Sequence, residues 1–444
     1  MHQYDLSART QGIRWTELPT WIIPLIYSGT AILLGMFFPR IEASLFSKWT
    51  SPMTVSAATA IYGAVATGMI TLTGLVFSMV FVVEQFSATA YSPRLVAWMS
   101  RDALLFHAIG VFTATFLYSV AALAWVDRLH DGRVPFFSVW LTVGLLLASV
   151  AMFVGLVQRL HRLQVDSVLN FTGDFGRRVI EVVYPPLKRA DAAVPMSEFE
   201  QLPVTQNLNY SGPPRTIQAL NAPALLALAE RSDSVIEMIA EVGETLVDST
   251  PLLRVYGARE MIRDGDLLKA IKIGTQRTFE QDPKYSIHLL ADIALRALSA
   301  AVNDPTTAVQ ALDQIEDLLL RLGRRCLEIG EIRNSAGQLR VVISVPSWED
   351  FLNLAFSEIR ACGKDSMQVV RRMNALLADL ITALPEERHS ALRSQQKRLR
   401  GAITRSFPDM EDQLEASAED REGLGATRKR PDEVPSELHP AARA

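Results

Sequence analysis

The chain has 444 residues, 49% of them hydrophobic, and a formal net charge of -4. Its mean hydropathy of +0.16 is high for a wholly soluble protein, and the length accommodates a membrane domain with one or two soluble ones. The small net charge speaks against nucleic-acid binding. The two cysteines, Cys326 and Cys362, exclude a disulfide framework or a cysteine metal centre.

An N-terminal segment, 1–19, precedes four apolar segments at about Thr20–Phe38, Val55–Val83, Leu104–Val126 and Pro135–Val157. Each is long enough to cross a bilayer as a helix, so 20–158 reads as a four-helix transmembrane domain. The first run is too long for a secretory signal and reads as a retained span. Thr54–Val83 is free of charge over about thirty residues, roughly 45 Å of helix. Along it Ala57, Ala60, Ala64, Thr67, Thr71, Gly74 and Ser78 recur at alternating steps of three and four. Small residues at that spacing let helices pack closely in lipid, which predicts that the second span is the most buried of the four. Arg9, Arg14, Arg94, Arg101, Arg159 and Arg162 flank one membrane face, against Arg40, Lys48, Arg128 and Arg133 on the other. The bias predicts that the soluble part lies in the cytoplasm.

Between the second and third spans, Pro93–Met99 reads as a short interfacial helix. Glu84 and His107 both fall near the inner membrane surface. The simpler reading of Glu84 is a carboxylate at headgroup level; the sharper one pairs it with His107 at the mouth of a pore or proton path. The fourth span continues in helical periodicity through Gln158–Asn170, so 159–194 reads as stalk and linker. Lys188–Tyr210 reads as loop.

A small mixed subdomain is expected over 195–262. Arg215–Leu220, Val235–Ile239 and Leu246–Val255 read as strands, and Ala222–Ala229 as a helix capped by Asn221. The stretch GETLVDSTPLLRV is similar to the hairpin of biotinyl and lipoyl carrier domains, but no lysine stands at its turn, so no cofactor is expected.

A mainly helical subdomain follows over 263–410. Helices are expected at Arg263–Gly274, Pro283–Ala301, Pro305–Leu322, Trp348–Ala361, Ser366–Leu384 and Glu386–Thr404, with a strand at Leu339–Val345. Ser347 with Asp350, and Asp365 with Gln368, read as capping boxes. The composition of 411–444 reads as a disordered tail. The fold class is thus four transmembrane α-helices followed by a mainly helical α+β soluble domain.

The stretches ITLTGLVFSMVFVVEQFSATAYSPRL and RTFEQDPKYSIHLLADIALRALSAAVNDPTTAVQALDQI resemble a family of predicted bacterial membrane proteins catalogued as a domain of unknown function, DUF2254. The resemblance runs to about Phe407. It implies four spans with a C-terminal soluble domain, and brings no activity or catalytic residue with it.

Pro283–Ala301 is apolar around most of its circumference and is expected at the centre of the soluble domain. His288, Asp292 and Arg296 form a stripe on it at steps of four. An exposed histidine with an Asp292–Arg296 ion pair accounts for that stripe most simply; the alternative is a ligand pocket or subunit contact, joined by Arg277. Asp282 and Asp304 each precede a proline, and with Asn303, Thr306 and Thr307 they fit helix starts. The alternative is that Gln281–Pro283 and Asn303–Thr307 line a common anion site. No phosphate loop, nucleophile elbow or HExxH occurs, so neither an enzyme nor a metal site is indicated. Two readings of function follow. One is a homo-oligomeric, channel-like assembly whose soluble domain senses a small molecule or ion; the other is a membrane-anchored binding or scaffold protein without a pore.

Overall fold

The computed structural model describes residues 21–45, 53–90, 103–126, 134–161, 165–187, 199 and 201–425. Pro93–Met99 and 426–444 lie outside them. The chain divides into two compact units, one ending at Ser167 and one built from Val168 onward.

The first unit contains four long apolar helices: α1 (Ile22–Leu45), α2 (Val55–Ala90), α3 (Ala103–Val126) and α4 (Phe136–His161). Each carries a stretch long and apolar enough to span a membrane, namely Ile22–Glu42, Val55–Val82, Leu104–Val126 and Phe136–Gln158. The third is the most enclosed, not the second: 44% of its apolar window is buried within the chain, against 22% for α2. The reason is local sterics. A Cβ on Gly110 would lie 2.7 Å from the Tyr27 ring, and one on Gly35 would lie 2.5 Å from Ala121 Cβ. Glycines at these two positions let α1 and α3 approach closely. Tyr62, Ala114, Tyr118 and Ala122 fill the resulting core.

Helix α5 (Val165–Val183) carries the boundary between the units at Ser167–Val168; α4 is described as far as His161, and 162–164 lie outside the described residues. Two sheets follow. Strands β1 (Val204–Asn209), β3 (Val235–Met238), β5 (Pro251–Tyr256), β7 (Glu331–Arg333) and β8 (Leu339–Ile343) form a five-stranded sheet in the order β1-β5-β3-β8-β7. Its β3–β8 pair is parallel and the others are antiparallel. Strands β2 (Arg215–Leu220), β4 (Thr245–Leu246) and β6 (Ile271–Gly274) form a second sheet in the order β4-β2-β6. Helix α6 (Ala222–Arg231) carries Asn221 as its N-cap, whose side chain accepts from Ala224 N.

Several expectations are corrected here. Lys188–Tyr210 is not all loop, since it contains β1. Leu246–Val255 is not one strand. The turn over Val247–Thr250, with Ser249 at φ +70, breaks it into β4 and β5, which belong to different sheets, so no carrier-type hairpin forms. Arg263–Gly274 is not one helix. It is α7 (Asp264–Lys269) followed by β6, because Ile271 and Ile273 find register partners on β2.

The remaining helices are α8 (Pro283–Ala297), α9 (Pro305–Gly323), α10 (Trp348–Gly363), α11 (Met367–Ala383), α12 (His389–Ser406) and α13 (Met410–Ala416). The Ser347–Asp350 capping box is formed, whereas α11 has Ser366 at its N-cap position with no side-chain cap hydrogen bond, in place of the expected Asp365–Gln368 box. Helix α8 is enclosed along most of its length by Tyr285, Ile287, Leu289, Leu290, Ile293 and Ala294. Leu295 is only half-buried. The chain leaves α8 four residues earlier than expected, turning through Asn303 at φ +48. Residues 411–425 are ordered against α11: Asn374 Nδ2 donates to Ala416 O at 3.0 Å, and Arg421 meets Asp379 at 2.7 Å. Short polar anchors of this kind hold a segment whose composition alone reads as disordered.

Candidate functional site

The segment between β6 and α8 places Asp282 at the N-cap position of α8, yet its carboxylate makes no cap hydrogen bond. It turns to Arg277 instead: Arg277 Nε donates to Asp282 Oδ2 at 2.8 Å, and Nη2 lies 2.6 Å from the same oxygen. The Asp282 side chain is 1% exposed, and Oδ1 is buried with no hydrogen-bond partner. Arg277 also lies over the Tyr285 ring, 5.3 Å from its centroid. Gly243, at φ +89, passes beside this pair, and a Cβ there would collide with Asp282 Oδ2. Burial pushes the Asp282 carboxyl above the ordinary carboxylate range; the pull of Arg277 only partly offsets it.

Next to Asp282, Lys284 pairs with Glu241, whose other carboxylate oxygen accepts from Ser344 Oγ at 2.9 Å. Tyr184, a fully buried ring near the end of α5, lies within electrostatic reach of Asp282 and Glu241, and its phenol is raised mainly by burial. These groups, with Leu220, Val242, Ile329 and Ile343, line a cavity of about 70 Å³. Its walls are mostly apolar and its few polar groups converge, but it is far smaller than the ~300–1,000 Å³ of a drug-sized ligand site, so it suits water or a small ion. Gln281 borders it and is committed to structure: its side-chain amide bonds both Leu220 N (2.9 Å) and Leu220 O (3.1 Å), closing the end of β2.

The other predicted residues fall elsewhere. Asp304 is the side-chain cap of α9: it accepts from Thr307 N at 3.1 Å and from Thr307 Oγ1 at 2.6 Å. Asn303 supplies the positive-φ turn before it. The two Asp-Pro loops stand at opposite ends of α8, about 22 Å apart along its axis, so they do not line a common site. His288 Nε2 lies 3.6 Å from Asp292 Oδ2, on the partly exposed side of α8 that also carries Arg296. This stripe does not reach the cavity lining. Among the described residues no cluster of three metal-ligating side chains occurs.

In the first unit, His107 Nδ1 lies 3.3 Å from the Tyr27 hydroxyl, with the rings edge-on. The Glu84 side chain, and with it the proposed Glu84–His107 pair, lies outside the described residues. A different carboxylate is prominent. Glu42 is buried near the end of α1 and accepts from Phe137 N (2.6 Å), Ser138 N (2.9 Å) and Ser138 Oγ (2.9 Å). It satisfies amides at the start of α4 that would otherwise be orphaned. Sequence reading missed Glu42, Glu241, Lys284, Tyr184 and Ser344. Only Glu42 carried a signal, as an acid at the end of an apolar run.

The seam of small residues on α2 is exposed within the single chain. Ala60, Ala64, Thr67, Thr71, Gly74 and Ser78 all lie open, and a Cβ at Gly63, Gly68 or Gly74 would meet nothing within 4 Å. A shallow groove runs along it, lined by Gly63, Ala64, Thr67, Gly68, Thr71, Leu72 and Leu75.

A family model described as "Predicted membrane protein (DUF2254)" matches residues 18–379. An uncharacterised protein of Mycobacterium bovis and one of Mycobacterium tuberculosis are each 26% identical to this chain over 436 residues. Each alignment covers 93% of this chain and 82% of the relative. No solved structure matches.

Proposed function

The chain belongs to the DUF2254 family of predicted membrane proteins, and from that premise we propose that it works as a homo-oligomeric, channel-like assembly in the bacterial inner membrane. Its soluble unit faces the cytoplasm and senses a small molecule or ion. The observation that carries this reading is the open seam on α2. A face made of Ala60, Ala64, Thr67, Thr71, Gly74 and Ser78 has no packing partner among the described residues of its own chain. In lipid such a face gains little from hydrocarbon and much from a close helix partner. A second copy of α2 supplies one.

The seam also carries hydroxyls at Thr67, Thr71 and Ser78, and Thr71 Oγ1 donates a hydrogen bond to Thr67 O at 2.9 Å. Several copies arranged around an axis would line that axis with small and hydroxyl-bearing side chains, suited to water and ions. The cavity beside Asp282 and Glu241 is the sensing site in this account. The arginine bias around the spans supports the orientation. Purified protein in liposomes, assayed for ion flux, tests the proposal. Flux that disappears in Gly74→Leu supports it. An oligomer without flux supports the membrane-anchored scaffold instead.

A further inference from the structure

Helix α12 reads HSALRSQQKRLRGAITRS and contains no acidic residue. It buries Leu392, Gln395, Leu399, Ala402 and Ile403. Its basic residues Arg393, Lys397, Arg398, Arg400 and Arg405 are all exposed. At about 100° per residue they fall within an arc of roughly 160° on the opposite side. Only Ser390, Ser394, Gly401 and Thr404 are interspersed there, so the face is basic, low in profile and free of large apolar groups.

Elsewhere in this unit many basic side chains have carboxylate partners: Arg177, Lys272, Arg340, Arg371 and Arg421 each lie within 2.9 Å of one. Among the described residues none of the five on α12 is in an ion pair. Arg398 donates to the neutral Asn353 Oδ1 at 3.2 Å. Arg360, on the neighbouring α10, donates to the neutral Gln395 Oε1 at 2.9 Å. Burial first, and then the proximity of Arg398 and Arg405, hold the Arg360 guanidinium below its ordinary range. Arg398 and Arg405 thus stand along one edge of the face with Arg360 near them, and among the described residues none of the three is in an ion pair.

A basic face on a soluble protein is ordinarily just solvated. Here the same chain carries four candidate membrane spans, so α12 is permanently tethered to a bilayer and meets its headgroups at high effective concentration. We propose that this face of α12, together with Arg360, docks on the phosphate headgroups of an anionic phospholipid leaflet. The chemistry is that of a polybasic surface on acidic lipid. The small residues between the charges let the face lie flat without inserting, so the contact is electrostatic and screened by salt. It is independent of the stoichiometry of the spans.

The test uses the full chain in nanodiscs of phosphatidylcholine alone or of phosphatidylcholine with phosphatidylglycerol. Two quantities are followed: amide exchange of 389–406, and acylation of Lys397 relative to Lys269 on α7. In the anionic discs both should slow by about fivefold or more, while exchange over α8 stays unchanged. High salt should reverse the effect. So should replacing the five basic residues of α12 by glutamine; they are exposed, and α8 exchange reports whether the fold survives. Equal rates in the two lipids, or slowing that salt does not reverse, would overturn the proposal. Inorganic phosphate added to phosphatidylcholine discs forms the third arm. If phosphate alone reproduces the protection, the face is a site for a soluble anion and the lipid assignment fails.

Discussion

Gly243→Ala tests the buried pair at the candidate site. Two costs are expected. The backbone at φ +89 is poorly suited to an L-residue, worth about 1–3 kcal/mol. The new Cβ also collides with Asp282 Oδ2, with Arg277 Nη2 only 2.8 Å away. Displacing that pair leaves a buried carboxylate poorly satisfied, at a further cost of about 1–3 kcal/mol. The total, roughly 2–6 kcal/mol, is a large part of a typical domain stability of ~5–15 kcal/mol. Gly337→Ala separates the two terms: its φ is +79, but an added Cβ meets nothing within 4 Å. Amide exchange over α8 in the purified full chain reads both variants. Gly243→Ala should accelerate it about 30-fold or more, and Gly337→Ala distinctly less. If the two variants exchange alike, Gly243 has no special relation to the Arg277–Asp282 pair and the geometry of the site is wrong.

Four further outcomes are expected. Ile293→Ala, at a fully buried position of α8, should cost about 2–5 kcal/mol by denaturant melt, while Leu295→Ala at its half-buried position should cost less. Glu42→Ala should lower stability in detergent by about 2–4 kcal/mol, since it orphans one buried and one part-buried amide of α4; thermal inactivation compared with Glu42→Gln checks it. The folded carboxyl of Asp282 lies above its unfolded value, so its contribution to stability is present below the ordinary carboxylate range and is lost as pH rises through the folded value. The stability deficit of Asp282→Asn should therefore shrink as pH rises above the ordinary carboxylate range; a deficit that grows with pH contradicts the burial argument. Cys362 is exposed, and a cytoplasmic soluble unit predicts that a membrane-impermeant thiol reagent leaves it unlabelled in intact cells; ready labelling reverses the topology.

The helical half of the fold was legible because its signals are local. Asn221, Asp304 and Ser347 cap the helices their spacing suggests, and four apolar runs are long enough to span whatever they pack against. Strand assignments failed where tertiary pairing decides. Ile271 and Ile273 join β2 although the preceding residues favour helix, and the turn at Ser249 divides one apolar run between two sheets. The order of the membrane helices was misread because small residues mark close packing without naming the partner. Those on α3 meet α1 in the same chain, whereas those on α2 stay open. The cavity was half legible. Asp282 and Arg277 stand five residues apart and could be suspected, but Tyr184, Glu241 and Ser344 come from distant parts of the chain, and only the fold gathers them.

The central claim is that copies of this chain meet along α2. Native mass measurement of the detergent-solubilised full chain tests it most directly, with Gly74→Leu alongside. The account predicts a discrete multiple of the single-chain mass for the parent and a shift to single chains for the variant. A parent that runs as a single chain, or a variant that keeps the parent's mass, would contradict it.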